Sequence, residues 1–330
     1  MSKQKKGKRP FDYALDAEAA EKQAEELTQS VEGAPSRPQL GPPSTFSGVN
    51  WFDKSKRWCL IPHSKIARDI QSDYGVVDDV TIIAGSLRGR KHRVVGDPNE
   101  DAYAISIAET ADATFLIAVV CDGLSSASQS AWSAPATADL VAQHARINLL
   151  AQTVVNQQSI QLAMLEAVRS SLKSLDEMAK TELSMSVLGN EAHFATTLTY
   201  IVVPTKYSAD SQVHCGYIGD STAFLWQKPT WWPMLLNTKE REIQSSVTEA
   251  FPISTTPTPI DFQIEIGDRF LLTSDGVGNY IARDGQNLLL GDYIADKWAT
   301  PVDELDFLKD LSFDIRSADD DRTIIALWVG

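Results

Sequence analysis

Five places in this sequence set an acidic residue at the edge of a short apolar run. ATFLIAVVC runs into Asp122-Gly123, RFLLTS into Asp275-Gly276 and HCGYIG into Asp220-Ser221. Glu100 and Asp101 stand just before AYAISIA, and Asp320 and Asp321 just before RTIIALWV. A single Asp-Gly is an ordinary turn signal. Carboxylates gathered at the ends of neighbouring strands, however, repel one another unless cations neutralise them. A glycine after the aspartate also leaves its carbonyl open to an ion. An all-oxygen set without His or Cys at zinc spacing suits Mg²⁺ or Mn²⁺. Two such ions about 3.5–4 Å apart make a phosphoryl-transfer site, clamping phosphate oxygens and activating a water. That chemistry needs no side-chain nucleophile, and the chain has neither a GxSxG elbow nor a Cys–His nucleophile signature.

The elements that must carry these acids are legible in the hydrophobic pattern. VTIIAGSL, ATFLIAVVC, TTLTYIVV, VHCGYIG, AFLW, RFLLTS and RTIIALWV are rich in β-branched and aromatic residues and have strand length. Two helices interrupt them, one with Ala134, Ala138, Val141, Ala145 and Leu149 on a stripe, the other with Leu165, Val168, Leu172, Leu175 and Ala179. Strands, a helix pair, then more strands is an α+β order of mainly antiparallel hairpins.

Residues 1–48 read as a disordered tail: a basic cluster, an acidic Ala/Glu-rich stretch and four closely spaced prolines offer little to bury. Residues 49–330 form the folded domain, with a lead-in over 49–79 and the core over 80–330. The formal charge of −14 excludes non-specific nucleic-acid binding. No apolar run approaches the roughly 20 residues of a membrane helix, and MSKQKKGKRP is not followed by the apolar stretch of a signal peptide. Cys59, Cys121 and Cys215 form no CxxC, so a reducing, cytoplasmic setting is expected, with Cys121 a structural strand cysteine.

Six segments in order, PNEDAYAI, AVVCDGLSSASQSAWSA, FATTLTYIVV, GYIGDSTAFLW, DRFLLTSDGVG and DDRTIIALWV, resemble the metal-dependent protein serine/threonine phosphatases, the protein phosphatase 2C-like family. The resemblance runs from about Thr81 to the end, and SLRGRKHRVVGDPNEDA is similar to its bacterial branch. It implies a four-layer α/β/β/α sandwich of two mainly antiparallel sheets flanked by helices, with the metal site at one edge. It also implies hydrolysis of phosphoserine and phosphothreonine by a metal-activated water.

By this resemblance Asp122 bridges two ions and the Gly123 carbonyl binds one. Asp275 and Asp320 complete the shell of the second ion, and Glu100 or Asp101 acts through bound water. Asp220 and Asp275 hold a weaker third ion. Asp122, Asp275 and Asp320 are thus the catalytic set, and phosphoproteins within a Ser/Thr kinase pathway are the partners. Where many members carry a phosphate-gripping arginine this chain has Gly96, so Arg93 or Arg90 is expected to replace it. Where many carry a proton-donating histidine it has Leu124-Ser125-Ser126. His92 is the nearest candidate in sequence, and as a loop histidine it reads as structural. The departures support an alternative, a phosphatase-fold module that binds phosphoproteins with little turnover. A haloacid dehalogenase-like reading of Asp319–Thr323 fails because only seven residues follow Thr323 (330 − 323).

Overall fold

The strand runs pair into two antiparallel sheets. The computed structural model describes residues 69–330 apart from 153, 209–210, 235–248, 284 and 316–317. The expected tail, most of the lead-in and Cys59 lie outside the described residues. Residues 94–96 aside, the described residues form one compact unit.

Along the chain β1 (Ile70–Val77) and β2 (Val80–Leu87) form a hairpin, followed by the short helix α1 (Arg90–Val95). A second hairpin, β3 (Asp101–Glu109) and β4 (Thr114–Asp122), precedes the helix pair α2 (Ser130–Leu150) and α3 (Gln157–Glu182). Then come β5 (Leu198–Pro204), β6 (Gln212–Ile218), β7 (Thr222–Gln227), β8 (Thr230–Pro233) and β9 (Thr258–Gln263). Next, β10 (Arg269–Thr273) leads into the single turn α4 (Asp275–Gly278) and a minimal ribbon, β11 (Ala282–Arg283) with β12 (Gln286–Asn287). Helices α5 (Leu289–Lys297) and α6 (Glu304–Leu311) come before the last strand, β13 (Arg322–Val329).

One sheet has the order β1-β2-β13-β10-β7-β8 and the other β3-β4-β5-β6-β9. Strand alternation sorts the core into layers. In β4, Leu116, Ala118 and Val120 join a cluster with Ile82, Phe270, Leu272, Ile325 and Leu327 of the opposite sheet. The intervening Phe115, Ile117, Val119 and Cys121 pack against Ala138, Val141 and Ala145 of α2 and Val168 and Leu175 of α3. On the far side Ile83, Leu271, Ile324 and Ala326 meet Ile294 of α5 and Phe307 and Leu311 of α6. The result is the expected α/β/β/α sandwich. Helix α3 opens on a reciprocal cap, the Asn156 side chain accepting from Ser159 N–H and the Ser159 hydroxyl from Asn156 N–H. Its buried face is Ala163, Met164, Ala167, Val168, Ser171, Leu175 and Ala179, whereas Leu165 and Leu172 are only half-buried.

Strand β1 falls within the stretch read from the sequence as lead-in. It pairs with β2 over its full length, from Ile70 opposite Leu87 to Val77 opposite Val80. As an edge strand it is mostly half-exposed, and its sequence IQSDYGVV therefore lacks the apolar density of the central strands.

Candidate active site

The registers of the two sheets bring the acidic strand ends to one place. Asp101 and Asp122 are direct cross-strand partners on β3 and β4. Both continue the inter-sheet series of their strands (Tyr103 and Ile105; Leu116, Ala118 and Val120), so both carboxylates sit at the edge of the layer between the sheets. Like charges directly opposite one another destabilise a strand pair. Asp101 is buried, and its Oδ2 has no hydrogen-bond partner.

The Asp122-Gly123 turn is gripped by the start of β5. Thr197 N–H donates to the Asp122 carbonyl at 2.7 Å, and Asp122 N–H donates to Thr197 Oγ1 at 3.0 Å. A Cβ at Gly123 would lie 2.7 Å from the Ser130 Cβ and 2.8 Å from the Glu100 carbonyl oxygen, so no side chain fits there. Asp275 opens α4 directly after β10, and its N–H lies 3.3 Å from Asp122 Oδ2. At Gly276 a Cβ would stand 1.9 Å from the Asp321 carbonyl oxygen, so glycine lets α4 press against the entry to β13.

Asp321 is a buried clamp. Its Oδ1 accepts from Gly89 N–H at 2.6 Å, and its Oδ2 accepts from Glu100 N–H at 2.6 Å and from His92 Nδ1 at 2.8 Å. The His92 side chain is buried beside it, with Nε2 3.8 Å from Glu100 Oε2. Glu100 Oε1 accepts from the Ser130 hydroxyl at 2.7 Å. Asp320 is more open: Oδ1 accepts from Asp321 N–H at 3.1 Å, and Oδ2 lies 3.8 Å from the exposed Lys91 ammonium.

Glu100, Asp101, Asp122, Gly123, Asp220, Asp275 and Asp320, the ligands expected from the sequence, all border one cavity of about 480 Å³. His92, Thr197, Asp321 and the Leu124–Ser126 turn line it too. Burial first, then repulsion from Asp101, Asp275 and Asp220, holds the Asp122 carboxyl well above its ordinary range. Asp101 is raised by burial and by Asp321 and Asp275, Asp275 by burial, Asp220 and Asp320, and Glu100 chiefly by burial. Burial also pushes the Cys121 thiol well up, with Asp122 and Asp101 adding to it. That fits an inert strand cysteine.

A set of oxygen donors that repel one another, one of them buried without a partner, fits hard divalent cations. Among the described residues no three His, Cys, Asp or Glu side chains converge as a ready-made chelate. Uncompensated like charges are expected to hold themselves apart in this way.

The two arginines expected to grip phosphate do not line the cavity. Arg93 is exposed, and Arg90 pairs with Asp314 at 3.0 Å. The short helix α1 turns His92 inward and leaves these two outside. The loop histidine read as structural thus borders the site. No local pattern marks it, since its partner Asp321 lies 229 residues away.

The family comparison matches residues 88–303 to protein phosphatase 2C. No curated protein matches the sequence. Solved structures do share the fold. The S. agalactiae serine/threonine phosphatase aligns at 12% identity over 79% of this chain and 100% of its own, with a TM-score of 0.52. A point variant of a bacterial serine phosphatase aligns at 16% identity over 78% of this chain and 100% of its own, with a TM-score of 0.51. The catalytic domain of the serine/threonine protein phosphatase PstP, in complex with two manganese ions, aligns at 18% over 75% and 97%, with a TM-score of 0.50.

Proposed function

Because this chain belongs to the protein phosphatase 2C family, we propose that it hydrolyses phosphoserine and phosphothreonine in proteins, using Mg²⁺ or Mn²⁺ held by the acidic cavity. The observation that carries this reading is the mutually repelling set of buried Asp101 with half-buried Asp122 and Asp275, Asp101 Oδ2 being left without a partner. The PstP domain, with its two manganese ions, supports a count of two, and Asp220 beside Asp275 supports a weaker third.

Asp122 is the residue best placed to bridge two ions, since it opposes Asp101 across the strand pair and meets the N-terminus of α4 at Asp275. Asp320 rather than Asp321 is the ligand at the start of β13, because both oxygens of Asp321 already accept protein N–H groups. When bound, such ions supply Lewis acidity towards a phosphoryl group and lower the pKa of water. Thr197 holds the Asp122-Gly123 turn in place. Asp321 fixes the peptide that presents Glu100 and Asp101, and Ser130 orients the Glu100 carboxylate.

Phosphoprotein substrates, a paired Ser/Thr kinase and a cytoplasmic setting complete the reading. Among the described residues no helix is long and apolar enough to cross a membrane. One observation favours the second reading, a phosphoprotein-binding module with little turnover: among the described residues no arginine lines the cavity.

Turnover separates the two. With Mn²⁺ the protein should hydrolyse an aryl phosphate and phosphoserine or phosphothreonine peptides, and EDTA should abolish this. Asp122→Asn and Asp275→Ala should each lose at least ~10³-fold in kcat/KM, several kcal/mol of transition-state stabilisation. Tight phosphopeptide binding without metal-dependent turnover would establish the module instead.

A further inference from the structure

We infer that His92 Nε2 is a nitrogen ligand to a divalent ion on the Glu100 side of the cavity, giving this site a preference for borderline ions such as Mn²⁺, Co²⁺ or Zn²⁺ over Mg²⁺. The inference rests on the reading that the cavity holds divalent ions. It adds a donor of a different chemical kind to the oxygen set.

The tautomer follows from the hydrogen bonding. Nδ1 lies 2.8 Å from Asp321 Oδ2, and a carboxylate oxygen that already accepts Glu100 N–H can only accept again. Nδ1 therefore carries the proton, and in the neutral ring the lone pair sits on Nε2. An imidazole that donates one N–H to a carboxylate and offers its other nitrogen to a cavity is the arrangement of metal-bound histidines, and the carboxylate fixes the tautomer and the ring's orientation.

The ring cannot turn away, because the side chain is buried and Asp321 is itself pinned by Gly89 and Glu100 N–H. The charged groups facing His92 are Asp321 and Glu100. Glu100 Oε2 lies 3.8 Å from Nε2, a spacing one ion can bridge with bonds of about 2.1 Å to each. Its other oxygen is occupied by Ser130, which leaves Oε2 for the shared ion.

A second observation points to a ligand in the same cavity: the partnerless Oδ2 of buried Asp101. The remaining coordination positions fall to water or substrate. Imidazole suits first-row ions better than Mg²⁺, which prefers oxygen donors.

The test reads the nitrogen directly. Full-length protein is stripped with chelator, loaded with Mn²⁺ alone and examined by pulsed electron paramagnetic resonance for ¹⁴N modulation. Wild type should show an imidazole ¹⁴N coupling, and His92→Gln should lose it while Mn²⁺ binding at one site weakens about tenfold. Wild type grown on ¹⁵N-histidine should replace the ¹⁴N pattern with a ¹⁵N one, which keeps the test independent of how the variant folds. Mn²⁺ bound without any nitrogen coupling, or a coupling that persists in His92→Gln, would overturn the inference and leave the proposed function standing. No Mn²⁺ binding at all would overturn both.

Discussion

Removing the Asp321 carboxylate should damage the fold more than removing any carboxylate expected to bind metal. In Asp321→Ala three donors lose their acceptor at once: Gly89 N–H, Glu100 N–H and His92 Nδ1. Gly89 and His92 are buried, so bulk water does not substitute for it. A buried donor left unsatisfied costs about 1–3 kcal/mol. The three share one cavity, so their costs do not simply add, and the total should be about 3–5 kcal/mol, as for breaking a buried pair. Asp321→Asn keeps one oxygen and turns an amide N–H₂ towards at least one existing donor. It should cost about 1–3 kcal/mol. Urea unfolding in excess EDTA measures both without contributions from metal binding, and an unchanged slope would show that the denatured state is the same. In a double-mutant cycle with His92→Gln the two sites should couple by about 0.5–3 kcal/mol. If Asp321→Ala costs under about 1 kcal/mol in EDTA, the clamp does not organise this end of the sheets, and the placement of Glu100 needs another cause.

Two further outcomes follow from the same geometry. Asp101, Asp122 and Asp275 have raised folded-state pKa values, so their contribution to stability is fully present below the ordinary carboxylate range and is lost as pH rises through the raised values. Chelator-treated protein should therefore melt at progressively lower temperature from about pH 4 towards neutrality. Asp122→Asn should flatten that slope and saturating Mn²⁺ should offset it, whereas a slope unchanged by both would refute the repulsion. Arg93→Ala and Arg90→Ala should leave KM for a phosphopeptide within about twofold, because screened surface charges outside the cavity contribute little. A rise of about tenfold, on the scale of one charge-assisted hydrogen bond to phosphate, would restore the expectation that one of them grips the substrate.

What could be read without coordinates follows burial. Strands β2, β4, β5, β10 and β13 are buried on both faces, so their sequences are continuous apolar runs. Strand β9 alternates half-buried with exposed residues over TPIDFQ, and β1 is mostly half-exposed. Neither stands out from loop composition. The acids could be read because each sits where an apolar run stops.

The His92–Asp321 contact could not be found that way, since GRKHR and ADDDR each look like a solvated charge run. It follows instead from one strand pairing. Leu87 at the end of β2 is the partner of Arg322 at the start of β13. Extending that antiparallel register past both strand ends sets the chain after Leu87 alongside the one before Arg322. Gly89 is then so close to Asp320 that a Cβ would stand 2.3 Å from its carbonyl carbon. The same extension separates the two neighbouring aspartates. Both border the cavity, but both oxygens of Asp321 accept from N–H groups on the β2 side, whereas Asp320 Oδ2 has only the Lys91 ammonium 3.8 Å away. The pairing of β2 with β13 thus brings GRKHR against ADDDR, a neighbourhood that neither motif carries by itself.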